Sequence, residues 1–210
     1  MSVSTRVQFH RMVAVIAATV STLPIGCGGP RAVELPELDP QAAGAAAVAG
    51  ADQDGDGLLS VDELKKYPAL GSVRGEYDAD HDDKLSAQEV ADGLLVWRKH
   101  GAGLKSVRCV VYWNRAPLVG ATVTLEPEEF LGPGILPASG TSQDEGLVPL
   151  SIPVDELPDD LKSFRGIHLG MYKVRVTHPS VKIPSKFNAE TVLGQVVGVA
   201  TREIILNLSN

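Results

Sequence analysis

Two twelve-residue stretches place oxygen-bearing side chains at matching intervals. In DQDGDGLLSVDE, residues 52–63, Asp52, Asp54 and Asp56 fall at positions one, three and five, Ser60 at nine and Glu63 at twelve. Leu58, at position seven, offers a backbone carbonyl. DADHDDKLSAQE, residues 78–89, repeats the pattern with Asp78, Asp80, Asp82, the carbonyl of Lys84, Ser86 and Glu89. Alternate residues of a tight loop point inward. Each stretch can therefore surround a hard cation such as calcium with the about six to eight oxygens it takes.

The same stretches end in capping boxes, Ser60-Val61-Asp62-Glu63 and Ser86-Ala87-Gln88-Glu89, which start helices without any metal. A capping box does not need three aspartates upstream. Carboxylates packed together without a counter-charge repel one another. Both stretches resemble EF-hand calcium loops, and residues 42–100 resemble the compact EF-hand pairs of bacterial exported proteins. The resemblance implies two calcium ions held by the twelve residues named above. It also implies that Leu59 and Leu85, both at position eight, meet across a short β-bridge. Position six calls for a left-handed backbone, and Gly57 provides it in the first loop. Asp83 stands there in the second, and Asp tolerates this conformation better than most residues with a side chain. The second site is expected to bind more weakly, with Asp83 pointing outward.

The elements that must hold the loops are helical. The segment around residues 41–50 is alanine-rich, with Val48 its one larger apolar anchor. Leu70, Val73 and Tyr77 share a helical face before the second loop, and Val90, Leu94 and Trp97 share one after it. Residues 64–77 must fit a departing and an arriving helix, both short, the second starting at Pro68.

The chain has 210 residues, 44% of them hydrophobic, and a net charge of −7. That balance argues against a nucleic-acid partner and against electrostatic binding to anionic lipid. Residues 51–100 hold 12 acids and 6 bases, so the acidity is concentrated at the loops. Arg6 and Arg11 precede a short apolar run from Met12 to Leu23, the pattern of an export signal over residues 1–26. Leu23-Pro24-Ile25-Gly26-Cys27 resembles the lipobox of bacterial lipoproteins. The resemblance implies cleavage before Cys27, lipidation of its thiol and anchoring at the cell envelope. With Cys27 so used, Cys109 has no partner for a disulfide. Residues 27–41, with three prolines, read as a tether.

From Leu104 the pattern changes to alternation. Val107, Cys109, Val111 and Trp113 share one face, as do Ala121, Val123 and Leu125, then Tyr172, Val174 and Val176, and finally Ile204, Leu206 and Leu208. Short strands separated by Gly- and Pro-containing breaks indicate an antiparallel β-sandwich over residues 104–210, with Cys109 a buried core thiol. Asn114 to Val123 (NRAPLVGATV), Thr141 to Gly146 (TSQDEG) and Gly170 to Val174 (GMYKV) resemble motifs of carboxypeptidase regulatory-like, transthyretin-like domains. Arg115 stands where that family's hairpin usually has glycine. The expected fold is thus α+β and multidomain, a helical pair followed by a sandwich.

No nucleophile elbow, zinc-protease helix, phosphate-binding glycine loop or C-x-x-C occurs in the sequence. His100, His168 and His178 are scattered. The expectation is a non-enzymatic, lipid-anchored, calcium-binding envelope protein whose sandwich is structural or adhesive, with an envelope protein or polysaccharide as possible partner. The alternatives are a calcium-responsive regulator or buffer, and an accessory subunit of an envelope enzyme.

Overall fold

Asp39 caps the first helix. Its Oδ1 accepts the backbone N–H groups of Gln41 and Ala42 at 3.0 and 3.2 Å, and Pro40 occupies the first helical position. Helix α1 therefore spans Pro40–Ala51, two residues earlier than the tether boundary suggests. The computed structural model describes residues 37–100 and 103–210. The export signal at 1–26, Cys27 and the tether up to residue 36 lie outside the described residues.

α1 packs by smallness. Ala43, Gly44, Ala47 and Ala51 are buried, whereas the expected anchor Val48 is half-buried. A Cβ on Gly44 would sit 2.1 Å from the carbonyl oxygen of Ala87, so only glycine allows α1 this close to α4 (Ala87–His100). On α4, Val90 and Leu94 are buried and Trp97 half-buried, the stripe that the periodicity predicts.

The interval between the loops holds less helix than expected. A four-residue 3-10 turn covers Glu63–Lys66, α2 covers Pro68–Ser72 and α3 covers Arg74–Tyr77. Pro68 does start α2. Val73, at φ −109° and ψ 10°, breaks the face that Leu70, Val73 and Tyr77 were expected to share. Leu70 is fully buried, and Val73 and Tyr77 are half-buried.

The remaining chain forms two four-stranded sheets. The first contains β3 (Arg108–Trp113), β4 (Ala116–Pro117), β7 (Leu147–Val148) and β10 (Glu203–Leu208). The second runs β6 (Ala138–Thr141), β5 (Thr122–Pro127), β8 (Gly170–Thr177), β9 (Gly194–Val197). The fold is α+β, but not wholly antiparallel. β10 lies parallel to β3, in register from Glu203 opposite Arg108 to Leu208 opposite Trp113. No hairpin constrains this pair, because the chain passes through the other sheet before it returns. The β3–β4 turn is made by Asn114 and Arg115, both left-handed at φ 50° and 70°, as a two-residue hairpin turn demands.

Pleating sorts the side chains largely as the alternation predicts. Ala121, Val123, Leu125, Tyr172, Val174, Val176 and Cys109 are fully buried. Val110 and Met171 depart from it. Both belong to the polar phase of their strands and both are buried, so β3 and β8 are covered on two sides.

Helical and strand-rich segments belong to one compact unit. They meet where the chain leaving the first loop crosses the second sheet. The buried Tyr67 ring packs edge-on against Phe130, with centroids 5.0 Å apart. A Cβ on Gly194 would lie 2.2 Å from both Pro68 C and Ala69 N. Glu128, fully buried, accepts the Ala69 N–H on Oε1 at 3.1 Å. Its Oε2 has no hydrogen-bond donor, and Lys173 Nζ stands 3.7 Å away. Burial pushes the Glu128 carboxyl up to about 7, although the Ala69 N–H and Lys173 pull the other way.

Two outcomes follow at this seam. Gly194→Ala must force the backbones apart and should cost about 1–3 kcal/mol in denaturant unfolding. Glu128 binds its proton more tightly folded than unfolded, so folding stability should fall as pH rises from about 4.5 to about 7. Melts of wild type and Glu128→Gln across this window should differ by a trend on the order of 2 kcal/mol that is present only in wild type.

Candidate metal centres

The two acidic loops are tied back to back. β1 (Leu58–Leu59) pairs antiparallel with β2 (Leu85–Ser86), Leu59 opposite Leu85, and both leucines are fully buried. This pairing is local in geometry but joins residues far apart in sequence, so each loop braces the other.

Each loop makes the same left-handed excursions. Gly55 and Gly57 sit at φ 77° and 82°, and their counterparts His81 and Asp83 at 62° and 67°. The second loop thus has side chains at both strained positions, of which only the sixth was anticipated. Asp83 points outward as expected. Its carboxylate meets Arg74 Nη1 at 2.6 Å, and the same guanidinium donates to the Asp83 carbonyl at 3.0 Å.

Backbone amides organise the carboxylates in matched fashion. Asp52 accepts from Gly55 and Gly57, and Asp78 from Asp82 and Asp83. Asp54 accepts from Asp56, and Asp80 from Asp82. Asp56 accepts from Leu58, and Asp82 from Lys84, so the residues at position seven are oriented by the aspartates at position five. These short-range bonds curl each loop around its acidic side chains.

The glutamate at position twelve closes each loop. Glu63 Oε2 accepts the N–H and hydroxyl of Ser60 at 2.8 and 2.7 Å. Glu89 Oε2 accepts the same groups of Ser86 at 2.8 and 2.9 Å. These are capping-box bonds. The other oxygen does something that a capping box does not require. Glu63 Oε1 reaches back across the loop to the Gln53 N–H at 2.7 Å, and Glu89 Oε1 to the Ala79 N–H at 2.8 Å.

This network shifts the acids. The Gln53 N–H first, then the Ser60 hydroxyl and N–H, hold the Glu63 carboxyl down at about 2. Burial works to raise Glu89, but the bonds from Ser86 and Ala79 outweigh it and leave it lowered. Asp56 is lowered chiefly by the Lys84 side chain, whose ammonium donates to its Oδ2 across the two loops.

Carboxylate oxygens of Asp52, Asp54 and Glu63 converge within 4.8 Å of one another, as do those of Asp78, Asp80 and Asp82. Each group could hold a metal ion. Asp56 and Glu89 are outside these tight groups. Ser60 and Ser86 direct their hydroxyls at the closing glutamates, and Leu58 and Lys84 occupy position seven of their respective loops. Lys84 was anticipated only through its carbonyl. Its side-chain contact and that of Arg74 were missed, because sequence spacing within one loop says nothing about reach into another.

His168 and His178 are occupied structurally. The half-open ring of His178 accepts from Ser180 and Val181, and buried His168 accepts the Leu136 N–H. Burial drives His168 down to about 4. Cys109 is buried and its thiol is pushed up to about 12 by that burial. No family model matches the chain, and neither does any curated protein or solved structure.

Because the Glu63 carboxyl is lowered, its contribution to loop closure is complete above about 4.5 and is lost as pH falls towards about 2. In calcium-depleted protein, the protection factors of the Gln53 and Ser60 amides against hydrogen exchange, corrected for the intrinsic slowing in acid, should fall over that window. In Glu63→Gln the acid-induced change should be absent.

Proposed function

We propose that this chain is a calcium-binding, lipid-anchored protein of the cell envelope, non-enzymatic, with a structural or adhesive β-sandwich. The observation that carries the calcium reading is the twice-repeated cage in which the glutamate at position twelve folds back onto its own loop. The donors are all oxygen, with no imidazole or thiolate among them, which suits a hard cation better than zinc or copper. Asp52, Asp54, Asp56, Glu63, Ser60 and the Leu58 carbonyl would hold one ion. Asp78, Asp80, Asp82, Glu89, Ser86 and the Lys84 carbonyl would hold the other. A bound calcium ion supplies positive charge where the carboxylates otherwise repel one another.

The protein's own part is to hold these groups close through amide bonds and the β1–β2 bridge. α1 and α4, which enter the first loop and leave the second, then stay in contact through Gly44. A constitutively filled, fold-supporting site is favoured over a sensor. Sensors expose a methionine-rich groove, whereas Met171 is buried in β8 and α2 is seated on a sheet. The two EF-hand loops, the sandwich formed by the two sheets and the transthyretin-like turn at Asn114-Arg115 belong to this reading. So does anchoring through Cys27, which rests on the lipobox-like sequence alone.

Calorimetric titration should show calcium binding with dissociation constants on the order of 10⁻⁴–10⁻³ M. EGTA should lower the melting temperature and the helical circular dichroism signal. Unchanged melting in EGTA would sink the structural-calcium reading, and micromolar affinity with large apolar exposure would favour a regulator. Asp83→Gly relieves a left-handed side-chain position and should tighten the second site about fivefold. Unchanged or weaker binding would show that the lost Arg74 contact outweighs the relief.

A further inference from the structure

We propose that Lys84 is a tethered counter-ion through which the second loop limits the cation affinity of the first. The inference rests on the calcium reading above and deepens it. Lys84 occupies position seven of the second loop, and its ammonium crosses the bridge to Asp56 Oδ2, while Asp56 Oδ1 takes the Leu58 N–H. Both oxygens of the position-five carboxylate are thus engaged.

The two loops differ just where this contact predicts. In the second loop the position-five residue, Asp82, belongs to the tight carboxylate group; in the first, Asp56 does not. The counterpart of Lys84 in the first loop is Leu58, which carries no charge to return to Asp82. Both Lys84 and Asp56 keep about a third of their side-chain surface exposed, at 35% and 34%, so solvent weakens the pair without removing it. A cation at the first loop must share Asp56 with this ammonium and meet its repulsion. The first loop, which has glycines at both left-handed positions, therefore loses part of the advantage its backbone confers.

The test is calorimetric calcium titration of the full chain with Lys84→Met and Lys84→Arg, in wild type and in a Glu89→Gln background that disables the second loop. Lys84→Met should tighten the first site on the order of threefold to tenfold, less at high salt. Lys84→Arg should stay near the parent. Equal affinity of Lys84→Met and its parent in both backgrounds overturns the counter-ion inference and leaves the calcium reading standing. Equal tightening by Lys84→Arg also overturns it, since the charge is then irrelevant. Absence of calcium binding in wild type overturns the calcium reading and this inference with it.

Discussion

The segment between the two acidic loops is too short to make its own core, and the structure depends on how that shortage is met. Fourteen residues, 64–77, carry one 3-10 turn and two helices of five and four residues. Helices this short are marginal alone. They persist because Tyr67, Ala69 and Leu70 are buried and α2 lies against β8 and β9 of the strand-rich half of the chain. Phe130 supplies a ring, Glu128 an acceptor and Gly194 the room. The seam is close because two backbones touch, and that contact carries a buried carboxylate with one oxygen lacking a donor. Such a group is costly, and among the described residues only the Ala69 N–H and the nearby Lys173 ammonium offset that cost.

Seen from the loops, the seam has a functional meaning. The first loop ends at Glu63 and the second begins at Asp78, so the connection that sets their separation along the chain is the part seated on the sheet. The β1–β2 bridge fixes it from the other side. Two constraints of independent origin thus hold the loops at a set distance. That distance lets a lysine of one loop rest on an aspartate of the other. Under the proposed calcium reading, it would also oppose the opening motion that a sensor needs.

Much was legible beforehand. Three aspartates at alternate positions followed by a serine and a glutamate determine a loop, because the side chains bond to amides only a few residues away. The stripe on α4 and the burial of Cys109 were readable from periodicity, the start of α2 from the preference of proline for a first helical position, and the opposition of Leu59 and Leu85 from the resemblance of the loops to EF-hand pairs. Val110 and Met171 were not, since alternation reports one covered face and says nothing of a second. The parallel return of β10 was not either, because strand direction depends on where the chain has travelled.

By itself, then, the sequence determined which atoms are available to a cation, the turn at position six of each loop and most of the side chains that avoid water. These are consequences of spacing over a few residues, where one backbone geometry decides the outcome. Only the tertiary structure decided that the two halves share a seam, that Glu128 is buried without a full set of donors and that Lys84 reaches Asp56. Lys84 and Asp56 are 28 residues apart, and Glu128 and Ala69 are 59. Contacts at such separations are set by packing, and packing is a property of the whole chain.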